Sequence, residues 1–157
     1  MKRLRMFGLV ALALVALVLS ASGSAAIVPQ HSIGGVRLGL SERAVRAKLG
    51  PPHQFYKGAS ELGHWRRLVY PRVTIVFQNG DKATFIRTRN AREKTASGVG
   101  VGSTLAQVRA RLHGEKCKRE FGIHHCWLGR WDPGFVITEF VLKRSRVIQV
   151  SIGYVID

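Results

Sequence analysis

Carboxylates are scarce in this chain, with nine Asp and Glu against 25 Lys and Arg in 157 residues. Paired carboxylates for acid–base catalysis, or a cage of oxygen ligands for a divalent cation, need acidic groups at related spacings. Glu61, Glu93, Glu120 and Glu139 show none, and Asp81 and Asp132 fall in turn sequences, Asn79-Gly80-Asp81 and Trp131-Asp132-Pro133-Gly134. No G-x-S-x-G string follows an apolar run, which removes the nucleophile-elbow hydrolases. Cysteine is also rare. Cys117 and Cys126 are nine positions apart, without the short C-x-x-C spacing of a redox centre. Zinc would need those two thiolates to converge with His124 or His125, which are adjacent and lack knuckle spacing. His31, His53, His64 and His113 are isolated. The chain therefore reads as a non-enzyme without cofactor or metal, and with no zinc finger, basic zipper or RNP-like strand for specific nucleic-acid recognition.

Long apolar runs are absent except at the start. Lys2, Arg3 and Arg5 precede an apolar run from Met6 to Leu19 and then small residues through Ala26, the order of an export signal cleaved after Ala25 or Ala26. Residues 1–26 are thus read as a signal peptide, leaving a secreted or extracytoplasmic protein with no membrane span. In an oxidising compartment the two cysteines most simply bond to each other, and Gly122 lets the intervening KREFGIHH turn. Seventeen of the basic residues are arginine, suited to bidentate contact with carboxylate or phosphate.

What is present in quantity is repetition. GVRLGLSERAVRAKL (35–49) aligns without a gap with GVGVGSTLAQVRARL (98–112), and seven of the fifteen positions are identical. Each copy is a small-residue turn followed by a short helix. Thr104 with Gln107 forms a capping-box pattern, Ser41 is the equivalent cap, and Gly50-Pro51-Pro52 stops the first helix. Leu105, Val108 and Leu112, like Val45 and Leu49, make the apolar stripe that short helices must bury.

Three strand patterns follow each helix: 65–70, 73–77 and 82–89 in the first copy, 125–129, 135–142 and 146–153 in the second. Alternation places Ile148, Val150 and Ile152 toward the helices, and Ala83, Phe85, Arg87, Arg89, Val147, Gln149 and Ser151 on the other face. The expected fold is α+β: two tandem helix-plus-three-stranded antiparallel sheet modules, 27–95 and 96–157, forming one continuous curved sheet with helices on one face.

The duplicated GVxLG...VRxxLG unit, the strands after it, the cysteine loop and Thr138-Glu139-Phe140 resemble the β-lactamase inhibitor protein-like fold family of secreted proteins. The single module is also similar to the small lipoprotein of the outer-membrane β-barrel assembly machinery. The resemblance spans about residues 33–156 and implies a concave sheet face that clamps a protein target. It departs at the first copy, which lacks a disulfide and has KGASELGHW in the equivalent loop, and at Asp132, which is followed by a turn and offers no acidic plug.

The function expected is that of a secreted, non-enzymatic binding or structural protein using that exposed face. Alternatives are a cationic envelope-associated protein that binds anionic wall polymer or lipid, and an inhibitor of β-lactamase or another enzyme. Phe85, Arg87 and Arg89, beside Gln149 and Ser151, are the expected binding surface, because an aromatic flanked by guanidiniums suits an interface. Trp65 and Tyr70 extend it, although strand geometry puts them on opposite faces so that only one contributes.

Overall fold

The computed structural model describes residues 26–156, so the segment expected to be a signal peptide, 1–26, lies outside the described residues apart from Ala26. The chain opens with three two-residue strands, β1 (Ile27–Val28), β2 (Ser32–Ile33) and β3 (Val36–Arg37), paired antiparallel as a small sheet. Helix α1 (Glu42–Leu49) leads into β4 (Gln54–Ser60), β5 (Gly63–Val69), β6 (Thr74–Gln78) and β7 (Ala83–Thr88). Helix α2 (Leu105–Arg111) leads into β8 (Lys116–Glu120), β9 (Ile123–Leu128), β10 (Val136–Lys143) and β11 (Arg146–Tyr154). The last eight strands form one antiparallel sheet in the order β4-β5-β6-β7-β11-β10-β9-β8.

This corrects the expected architecture. The described residues are mostly β, with two short helices and two sheets, so two helix-plus-three-stranded modules making one continuous sheet do not describe the chain. Each half places four strands in the large sheet, and residues before the first helix form a sheet of their own. The strands that went unread are β4 and β8, the outermost pair, together with the three short ones.

Both helices are held by the same devices. Ser41 Oγ accepts from the Ala44 amide at 3.2 Å, and Thr104 exchanges both bonds of a capping box with Gln107. The glycines before them, Gly39 at φ 78° and Gly102 at φ 91°, occupy the left-handed region where a side chain is strained. Their amides donate to the carbonyls of Ala83 (2.8 Å) and Val147 (2.7 Å). The first helical amides, Glu42 and Leu105, donate to Asp81 and Ser145 in the β6–β7 and β10–β11 hairpins. Each short helix is thereby tied to the hairpin of its own half.

The same two hairpins carry equivalent bulges, between Val76 and Phe77 opposite Thr84, and between Val141 and Leu142 opposite Ile148. A bulge moves every following side chain to the other face. That overturns part of the expected facing: Ala83 and Val147 are buried beneath the helices, and Ile148 is exposed, while Val150 and Ile152 are buried as read. On this covered side each half has its own cross-strand row, Phe55, Leu68, Ile75 and Ile86 in the first and Cys117, Cys126, Phe140 and Val150 in the second. Where the halves meet, Ile86 pairs with Ile152 and Val150 with Thr88. Apart from the half-exposed Phe55, the core unites these with Val45 and Val108 of the helices and with Ile27, Ile33 and Val36 of the small sheet. Glu93 is wholly buried at the same layer and is bonded by Arg72.

Candidate functional site

The side of the large sheet away from the helices has no second layer over it, and alternation along each strand decides what it displays. One cross-strand row runs Tyr56, Arg67, Val76 and Phe85; the next runs Gln54, Val69, Thr74, Arg87, Ser151, Glu139, Trp127 and Lys116. Trp65 lies on the same face two residues before Arg67. Of the residues read as the binding surface, Phe85, Arg87, Arg89, Gln149, Ser151 and Trp65 come together here. Phe85, Arg87 and Trp65 are half-buried rather than fully exposed, and Ser151 is almost covered. Arg89 lies just past the end of β7, and its Nε donates to Gln149 Oε1 at 3.1 Å.

Tyr70 does not project from this face. It is buried, with its hydroxyl donating to the Gly50 carbonyl at the end of α1 (3.1 Å), and it reaches the face only as part of the lining at the end of the cleft that Arg67, Arg87 and Arg89 share. Burial raises its pKa most, the Arg46 charge opposes this, and Glu42 adds to it. Cys117 and Cys126 are also elsewhere. They are direct cross-strand partners in the β8–β9 hairpin and form a disulfide, so the segment between them is a two-stranded ribbon rather than an irregular loop.

Arg67 and Tyr56 were not singled out in the sequence. Arg67 stacks over Tyr56, with its guanidinium carbon 4.5 Å from the ring centroid, and over Trp65 at 5.6 Å. A period-2 reading of Trp65, Arg67 and Val69 would have found Arg67, but Tyr56 needed the unread strand β4. In the second half, His125, Trp127 and Trp131 pack edge-on, with ring centroids 4.9 to 5.5 Å apart, and His125 Nδ1 meets Glu139 Oε1 at 2.8 Å. Trp131 covers part of the sheet, closing a cavity of about 180 Å³ with Phe85, Ile137, Gly153 and Tyr154 on its lining.

The charges divide unequally. Among the described residues, Arg46 and Arg66 share Glu42 (2.8 and 3.3 Å), and Arg72 and Arg130 are paired with Glu93 and Asp132. Arg67, Arg87 and Arg89 have no carboxylate, yet all three line one open cleft of about 540 Å³, together with Val69, Thr74 and the Glu93-paired Arg72. Burial, then the Arg89 and Arg67 charges, lower the pKa of Arg87 below the usual guanidinium value. Among the described residues, the buried side-chain polar atoms without a partner are Arg67 Nε, His125 Nε2, Trp127 Nε1 and Glu93 Oε2, and the first three belong to this face. No group of three or more His, Cys, Asp or Glu among the described residues could hold a metal ion.

No family model and no curated protein matches the chain. Among solved structures it is similar to an extracellular protein containing an SCP domain from Bacillus anthracis str. Ames, at 11% identity and a TM-score of 0.49, over 74% of this chain and 44% of that one. A likeness at that level carries no argument about fold or activity.

Proposed function

We propose that this is an exported, non-enzymatic binding protein that seats its partner on the uncovered face of the large sheet. One observation carries the reading: that face gathers Tyr56, Trp65, Phe85 and three carboxylate-free guanidiniums, together with three of the four partnerless buried polar atoms. Leaving like charges close together and the buried N–H groups of Arg67 and Trp127 unbonded costs stability, and a partner that supplies acceptors relieves both. Aromatic and arginine side chains are also the types that dominate interface energetics. Export after cleavage near Ala25 or Ala26 fits with the Cys117–Cys126 disulfide, since such bonds persist in oxidising compartments. No helix among the described residues is long and apolar enough to cross a membrane. The resemblance to the β-lactamase inhibitor protein-like family enters this proposal only as a guide to the face used, not to the target.

The test is capture of partners from the medium and envelope of the producing cell, by the mature protein and by a Trp65→Ala, Phe85→Ala double variant, at low and at high salt. The expected result is loss of the captured species by a folded variant. Undiminished capture by the variant, or no captured species from either source, overturns the proposal. If the double variant does not fold, Trp65→Ala alone is compared in the same way, since the Trp65 ring rests on the sheet surface over Gly58.

A further inference from the structure

Glu42 serves both Arg46 and Arg66, and Glu93 holds Arg72 at the margin of the sheet cleft. Among the described residues, Arg67, Arg87 and Arg89 share that cleft with no salt-bridged carboxylate of their own. Arg109, Arg144 and Arg146 line a shallow groove in the same condition, but of the two only the sheet cleft supports a guanidinium on aromatic rings, Tyr56 and Trp65. Its second-half equivalents, located by the cross-strand pairing and the repeat shift, are His125, Ser151 and Gly153. There the histidine is met by Glu139 and the other two positions are uncharged. The duplicated fold therefore does not require cations at these places, and the first half has acquired them without a counter-charge.

The three side chains are also held in place. Arg67 is packed over Tyr56 and Trp65, its guanidinium carbon 4.5 and 5.6 Å from their ring centroids, and its Nε is buried without an acceptor. Arg89 is oriented by Gln149, a bond that uses one of its five donors. Arg87 stands beside Thr74 on the neighbouring strand, and the residues of β6 between Arg67 and Arg87, Val76 and Thr74, are small enough to leave space above the sheet. Three guanidinium side chains lining one cleft present more N–H donors, and more positive charge, than a single carboxylate can satisfy. A tetrahedral dianion has oxygens for each guanidinium and is closer to the matching charge.

We infer that the cleft bounded by Arg67, Arg87 and Arg89 is a binding site for a phosphate-type dianion, either free phosphate or a phosphomonoester carried on a larger ligand. This deepens the proposal for the sheet face and rests on it, because it names the chemistry recognised at one end of that face. It does not extend to the apolar cavity beneath Trp131.

The experiment titrates the mature, disulfide-bonded protein with inorganic phosphate, glycerol phosphate and glutarate at low ionic strength, followed by calorimetry and by NMR shifts of the arginine side chains. Both phosphates are expected to bind, moving the Arg67, Arg87 and Arg89 resonances, with glutarate weaker by at least about tenfold. Tighter glycerol phosphate than inorganic phosphate assigns the site to an esterified ligand, and the reverse assigns it to the free ion. Arg87→Gln and Arg89→Gln should each weaken phosphate by about tenfold or more, whereas Arg119→Gln on the exposed edge strand β8 leaves it unchanged. Equal binding of glutarate, equal loss in the Arg119 variant, or indifference to both cleft variants overturns the inference. Should Arg87→Gln unfold, the exposed Arg89 decides by itself. Failure here with partner capture still dependent on Trp65 and Phe85 removes the phosphate site alone, and loss of both removes the face.

Discussion

The two outer hairpins of the large sheet, β4–β5 and β8–β9, occupy equivalent ends of the duplicated structure and are secured by different chemistry. In the second half Cys117 and Cys126 face each other across the strands and are covalently bonded. The same cross-strand position in the first half holds Phe55 and Leu68. Leu68 is fully buried, and Phe55, nearly half exposed, is capped by the Arg46 guanidinium 5.7 Å from its ring centroid. One end is therefore stapled through the chain itself, while the other depends on packing and on contact with α1. The outer edges differ as well. β8 presents Lys116, Lys118, Arg119 and Glu120, the kind of charged edge that resists pairing with another chain. β4 is two residues longer and carries one charge, and it supplies Tyr56 to the arginine cleft. The stapled end thus carries the more charged edge, and the packed end borders the proposed arginine cleft.

This contrast can be broken most severely at the packed end. Leu68→Ala removes a fully buried side chain with nothing covalent to hold the ribbon, and should cost about 3 kcal/mol in denaturant unfolding, within the range for large-to-small core changes. A loss near that for a surface leucine would show that β4–β5 is not bound to the core through this residue. At the stapled end, replacing both cysteines by alanine should cost about 2 to 3 kcal/mol, the amount expected for opening a loop of roughly ten residues. Reduction of the native protein should give the same drop in melting temperature, whereas reduction should leave the melting temperature of the cysteine-free variant unchanged. The smallest effect sharpens the comparison. Tyr70 ties β5 to the end of α1 through Gly50, and the equivalent position in the second half is Leu128, which has no hydroxyl to do so. Tyr70→Phe should cost about 1 kcal/mol, the net worth of one hydrogen bond, and should leave phosphate titration of the arginine cleft unaltered.

Local features of the chain were legible residue by residue. The helix caps at Ser41 and Thr104 and the positive-φ glycines at 39 and 102 depend on a few neighbouring positions, and the structure places them as the repeat suggested. Strands with one buried face, such as Thr74–Gln78 and Val136–Lys143, announce themselves by alternation. β4 could not. As an edge strand it is exposed on nearly every side chain, so Gln54-Phe55-Tyr56-Lys57-Gly58-Ala59-Ser60 carries no burial pattern to read. The opening strands were hidden for another reason: two residues are too few to show a period, and their pairing exists only because Ile27, Ile33 and Val36 reach a common core.

The candidate site divides in the same way. Phe85 and Arg87 were assigned to the uncovered face from spacing alone, and they lie there because no irregularity separates them along β7. Ala83 and Val147 were assigned to it as well and lie in the core, because the bulges at Thr84 and Ile148 reverse the alternation on their far side. Arg67 stands on the face through the alternation of β5, whereas its stacking on Tyr56 is a contact with β4, a strand that shows no pattern in the sequence.

By itself, the sequence determined the duplication, the helix starts, the inner strands and the chemical means for one disulfide, since each of these is written in residues close together along the chain. Tertiary structure alone decided which strands stand at the edges, where the register slips, and that three arginines without a carboxylate share one cleft. Those outcomes depend on pairing between segments far apart in sequence, and a shift of one residue in such pairing moves a side chain from the core to the solvent face.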